Sequence, residues 1–150
     1  VLEKPSFSSL VHNKRCIVIA DGYYEWAKPN NQPYYIFDEK NKILPLAGLW
    51  TSWKNSNSST LFTYTVLTTT PANNIKNIHN RMPLVLNPRV MDKWLDCNKF
   101  TISECLSDIQ HEKLHLKFYP VSKFVNSIKN NSIKNIREEK PKDILNLFPN

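Results

Sequence analysis

The chain has 150 residues, with 20 Lys and Arg against 13 Asp and Glu, a formal charge of +7, and 41% hydrophobic residues, enough for one globular core. Its longest apolar runs, Cys16 to Ala20 and Leu84 to Leu86, are strand-sized, so no membrane-spanning helix is expected. Two glycines, Gly22 and Gly48, against ten prolines exclude the glycine-rich phosphate loops of P-loop NTPases and dinucleotide-binding folds.

In chain order, Ser6 to His12 reads as a short helix. Strand signals then dominate: Arg15 to Ala20, aromatic Pro33 to Phe37, Leu44 to Trp50, and Leu61 to Thr69. In the last of these, Phe62, Tyr64 and Val66 alternate with Leu61, Thr63, Thr65 and Leu67, which predicts a strand with one large aromatic face. Between the last two strands, Lys54 to Thr60 (KNSNSST) is low in complexity and predicts an exposed loop. Short helices are predicted at Ala72 to Ile78, at Pro88 to Leu95 and at Ile102 to Gln110, the second with Val90, Met91 and Trp94 as its core stripe. A closing strand pair is expected at Leu114 to Tyr119 and Ser132 to Ile136.

The positive charge favours encounter with a polyanion, nucleic acid first, although the same charge also serves solubility alone. Cys16, Cys97 and Cys105 form no CxxC pair and are odd in number, a pattern of a reducing, intracellular compartment; Cys16 reads as a small buried hydrophobe. The chain opens on Val1 with no leader resembling a signal peptide. The series Cys97, Cys105, His111, His115 lacks the close ligand pairs of a structural zinc site, so no metal is expected. Nor is there a GxSxG elbow.

Two residues stand out as chemistry. Glu25 lies among Tyr23, Tyr24 and Trp26, where aromatic walls would disfavour its charged form and tune it for proton transfer; strand alternation would equally allow it to face solvent. His79 and Arg81 are two residues apart before Pro83, which sets a titratable group beside a fixed cation suited to phosphate. The pair would also simply complement a helix C-terminus.

RCIVIADGYYEW (Arg15 to Trp26), LPLAGLW (Leu44 to Trp50), TTTPANNIKNIHNRMPLVL (Thr68 to Leu86), MDKWLD (Met91 to Asp96) and PVSKFVNSIKNN (Pro120 to Asn131) resemble, in order and spacing, the SOS-response-associated peptidase (SRAP) family of abasic-site processing proteins. The resemblance implies one α+β domain built on a distorted, mostly antiparallel β-barrel. It implies a protein that binds single-stranded DNA and couples covalently to abasic sites through an N-terminal cysteine, whose amine and thiol close a thiazolidine on the sugar aldehyde. It further implies catalytic roles for Glu25 and His79, DNA contacts for Arg81 and Thr68, associated self-processing peptidase activity, no cofactor, and a monomer that is nuclear in a eukaryote. Family members carry several dozen residues ahead of the position matched by Val1, including that cysteine, base-wedging aromatics and an Asn-Ala-Arg-like stretch. Residues 1–150 are therefore expected to be the larger, C-terminal portion of the domain. By themselves they are expected to form no crosslink, because Cys16, Cys97 and Cys105 have no free α-amine.

Overall fold

A computed structural model describes residues 5–109 and 114–140. Helix α1 (Pro5–Asn13) is followed by β1 (Arg15–Ala20), β2 (Tyr23–Ala27), β3 (Gln32–Asp38), β4 (Leu44–Lys54), β5 (Thr60–Val66), β6 (Thr68–Thr69), β7 (Met82–Pro83), α2 (Pro88–Leu95), α3 (Ile102–Ser107) and β8 (Leu116–Pro120). One antiparallel sheet has the order β1-β4-β5, a second β2-β3-β8, and β6 and β7 form a short ladder. The class is α+β with antiparallel pairing, as expected. The expected barrel is not closed among the described residues: the strands lie in separate sheets, and β1, β5, β2 and β8 are their edges.

Strand β4 divides the core. Its alternating side chains send Ala47 and Leu49 to one face and Leu44 and Leu46 to the other, and all four are buried. Ala47 and Leu49 pack with Val11, Leu67, Leu84, Leu86, Val90 and Trp94 beneath the three helices. Leu44 and Leu46 pack with Ile36, Ile75, Ile78, Met82, Val85 and Leu116. Burial on both faces explains why this stretch reads as an unbroken apolar run.

Local signals hold these elements in place. Asn87 caps α2 by accepting from the backbone N–H groups of Arg89 (3.0 Å) and Val90 (3.2 Å), and Pro88 occupies the first turn. The helix then points Val90 and Trp94, one turn apart, into the core, where the Trp94 indole N–H donates to the Cys16 carbonyl at 2.9 Å. Helix α3 starts with a capping box between Thr101 and Glu104. At the β1–β2 turn, a Cβ on Gly22 would lie 2.4 Å from the Tyr35 ring, so only glycine fits there.

Several expected elements differ. Leu61 to Thr69 is not one strand, because the chain changes partner at Leu67. The Leu67 N–H donates to Ala47 while its carbonyl accepts from Leu84, which turns Thr68 and Thr69 onto β7. Ala72 to Ile78 forms successive turns in place of a helix. Ile75 and Ile78 are anchored in the core, and the Asn74 side chain donates to the Leu116 carbonyl at 2.6 Å, so tertiary contacts override a segment weakened by three asparagines. Helix α3 ends at Ser107, with Gln110 outside the described residues. The last strand pair is half met. Strand β8 forms and pairs with β3, but Ile133–Ile136 is a 3-10 turn capped by Ser132, whose Ile136 carbonyl accepts from the Tyr119 hydroxyl at 2.7 Å. Finally, Cys16 is half-buried, facing a groove with Trp50, Phe62 and Tyr64. The aromatic face of β5 is open, and Trp53, Leu61, Phe62 and Tyr64 are all more than half exposed.

Candidate active site

Four residues singled out in the sequence meet at the open end of the second core cluster. Glu25 is central in β2, whose alternation places Tyr23, Glu25 and Ala27 on one face. Tyr23 and Ala27 pack on the second cluster, so Glu25 leaves the strand toward the interior, and its side chain is only 20% exposed. The opposite face of the sheet carries an aromatic run in which Tyr24 meets Trp26 and Tyr35, and Tyr35 meets Phe37 and Tyr119. Of the two orientations open to Glu25 in the sequence, the inward one is realised.

His79 and Arg81 lie on a turn pinned at both ends by core residues, Ile78 before it and Met82 after it. This fixes the backbone while leaving the polar side chains at the surface. His79 Nδ1 lies 3.6 Å from Glu25 Oε2 and 3.0 Å from the Arg81 carbonyl. The Arg81 carbonyl, the nearer of the two oxygens, accepts from Nδ1 in the tautomer that carries its hydrogen there. The Arg81 backbone N–H lies 3.3 Å from Nδ1 and donates to it in the other tautomer. With the hydrogen on Nδ1, toward the Arg81 carbonyl, Nε2 is the atom able to exchange a proton.

The Arg81 guanidinium turns back onto Thr68. Its Nε donates to the Thr68 hydroxyl at 3.2 Å, and its Nη2 donates to the same hydroxyl at 3.0 Å and to the Thr68 carbonyl. The change of partner at Leu67 is what delivers Thr68 to this point. Glu25, His79, Arg81 and Thr68 thus form one continuous line across β2, the turn and β6. On the opposite face of β2, the Trp26 indole N–H donates to Asn126 Oδ1 at 2.8 Å.

The electrostatics are those of a half-dry pocket. Burial raises the Glu25 pKa above the usual carboxylate range, opposed by the nearby His79 and by a hydrogen bond from the Trp26 backbone N–H. Burial, with the charge of Glu25, also pushes the Tyr23 phenol strongly upward. The arrangement offers a basic carboxylate, an imidazole with one free nitrogen and a fixed cation within one small region. It can move protons at a reacting atom beside an anionic group.

Two components were not evident from sequence: the Arg81 carbonyl beside the imidazole and the buried Tyr23 hydroxyl. Only the last had a signal, its i, i+2 spacing from Glu25. The residues weighed for zinc are arranged differently. Cys97 and Cys105 accept from Arg15, His115 contacts Lys40, and His111 lies outside the described residues.

Comparison with known proteins places the chain in a family. Residues 1–128 match the family described as SOS response associated peptidase (SRAP). The chain is 32% identical to Abasic site processing protein HMCES of Gallus gallus, over 88% of this chain and 46% of that protein. It is 35% identical to Abasic site processing protein YoqW of Bacillus subtilis, over 87% of this chain and 60% of that protein. A crystal structure of a protein from Bacteroides thetaiotaomicron superposes with a TM-score of 0.80 at 27% identity, covering 93% of this chain and 63% of that one. The chain spans roughly half the length of the curated relatives it matches. By residue pattern, fold and shared sequence, the chain belongs to the SRAP family.

Proposed function

We propose that this chain is the greater part of an abasic-site processing protein that captures the opened sugar of single-stranded DNA in a covalent link. The observation that carries the reading is the approach of Glu25 and His79 to 3.6 Å, in line with the Arg81 guanidinium. The names of the relatives supply the substrate class.

In this reading the nucleophile is the α-amine of a cysteine at a mature N-terminus, contributed by polypeptide outside residues 1–150. An α-amine has a pKa of about 7.7–8.0, so a usable neutral fraction exists at physiological pH. The amine adds to the C1′ aldehyde, and the resulting carbinolamine loses water to give an imine. The cysteine sulfur then adds to the imine carbon, its proton passing to the nitrogen, and the thiazolidine ring closes. Glu25, poorly solvated and so more basic than an exposed carboxylate, takes the proton that the amine must lose. His79 moves protons through Nε2 as the sugar ring opens, as water departs and as the link reverses. Arg81 holds a phosphate beside the site with the donors that Thr68 leaves free. The same acid and base would serve removal of residues ahead of the cysteine.

The test is incubation of the protein bearing its mature N-terminal cysteine with single-stranded DNA containing one abasic site, followed by denaturing electrophoresis. A heat-stable shifted band is expected. His79→Ala is expected to slow its formation and reversal about 10²- to 10⁴-fold with DNA binding retained. Binding without any such band would overturn covalent capture in favour of a non-covalent nucleic-acid module. Unchanged rates in both His79→Ala and Glu25→Gln would remove their assigned roles.

A further inference from the structure

The inner face of β2 carries a polar group with no role in the scheme above. The Tyr23 hydroxyl is shut off from solvent and has no hydrogen-bond partner among the described residues. Buried hydroxyls are almost always paired, and a phenylalanine would fill the same space without a stranded donor. Its ring packs with the second core cluster, so the hydroxyl is held in place and not left to rotate into water.

Two facts about its neighbour indicate what the donor is for. Tyr23 and Glu25 are two residues apart on one strand face, about 7 Å along the chain, a gap that a phenol leaning toward a carboxylate can close. Glu25, for its part, is not tied to His79, because 3.6 Å is too long for a hydrogen bond. The carboxylate has oxygen lone pairs to spare and freedom to turn. The groups facing it are Tyr23 on β2, His79 on the turn before β7, and Tyr34, its cross-strand partner on β3.

We propose that Tyr23 is a positioning residue: its hydroxyl donates to the Glu25 carboxylate when that group turns from His79 toward β2, holding it ionised for the incoming amine. The inference rests on the reading of Glu25 as a base. The phenol suits a pure donor role, since burial and the Glu25 charge both oppose its ionisation. It keeps its proton throughout the working pH range.

A donor to the charged form favours that form. Tyr23→Phe removes one oxygen and keeps the ring, so the fold and thermal unfolding midpoint are expected to be retained. The rate of capture of single-stranded DNA carrying one abasic site, measured against pH, is the decisive readout. In Tyr23→Phe its acid limb is expected to move to higher pH. On that limb the rate falls about 3- to 10-fold, the equivalent of one hydrogen bond, and on the alkaline plateau it matches the unsubstituted protein. Tyr23→Phe added to Glu25→Gln is expected to change nothing further. An unshifted limb, or an equal loss at every pH, would overturn the role of Tyr23. A Glu25→Gln variant that keeps the original pH profile would instead overturn Glu25 as the base.

Discussion

The two core clusters that share β4 are built from the same apolar residue types and are finished differently. The first is sealed by α1, α2 and α3, and even its charged member is fully engaged. Arg15 is 5% exposed and donates to Cys97 Sγ at 3.2 Å, Cys105 Sγ at 3.7 Å and the Phe100 carbonyl at 2.7 Å. It also stacks over Trp94, 5.5 Å from the ring centre. The second cluster opens onto Glu25, His79, Arg81 and Thr68, whose polar atoms are only partly satisfied by one another. One side of the strand is closed around its polar groups, and the other leaves donors and acceptors open at its end, where the proposed function puts the substrate.

Removing the largest sealed side chain tests this division most severely. Trp94→Ala takes away an indole with no exposed surface and its hydrogen bond to the Cys16 carbonyl. The expected loss is about 3–5 kcal/mol by denaturant unfolding. In whatever fraction stays folded, DNA capture is expected to proceed at the normal rate. A variant that unfolds normally but captures slowly would show that the two sides are not separable.

What could be read from the sequence follows the same division. Strands β1 and β3, the inner half of β4, and α2 were legible because apolar and aromatic runs, a proline in the first helical turn and the Val90–Trp94 spacing are local signals. The partner exchange at Leu67 was not, since it depends on where Leu84 lies. Nor were the turns at 72–78, where burial of Ile75 and Ile78 decides the conformation. At the site, Glu25 and His79 were each conspicuous by composition, but only the family resemblance brought them together, because no short-range pattern links β2 to the turn before β7. The open face of β5 shows the converse. Alternation marked Phe62 and Tyr64 as one face, while exposure depends on what covers it.

On the open side, the next largest effect is expected at Arg81. Its fork is partly engaged with Thr68, and on the proposed reading the rest holds one phosphate. Arg81→Ala is expected to weaken binding to single-stranded DNA about 5- to 10-fold and to reduce the magnitude of its log–log salt slope by about 0.7, the value of one neutralised phosphate. Thr68→Val removes only the hydroxyl that steadies the guanidinium, so a smaller loss of affinity with an unchanged slope is expected. Equal slopes for Arg81→Ala and the unsubstituted protein would take Arg81 off the DNA.

The smallest effect bears most directly on the contrast, because it asks whether the open side costs stability. Burial raises the Glu25 pKa in the folded state, so this state binds the proton more tightly than the unfolded chain does. Above the raised value the protein carries the full cost of a desolvated charge. As pH falls through it the cost is relieved, and relief is complete below the unfolded value of about 4.3. Glu25→Gln, which cannot ionise, is expected to melt about 1–4 °C higher than the unsubstituted protein at pH 8. The gap should close on acidification, and the two should converge near pH 4. A gap independent of pH would mean that the amide merely packs better, and a lower midpoint at pH 8 would mean that the pairing with His79 outweighs burial. A gap that closes with acid, in a variant that has also lost capture, would identify the same ionised carboxylate as the source of both the instability and the chemistry.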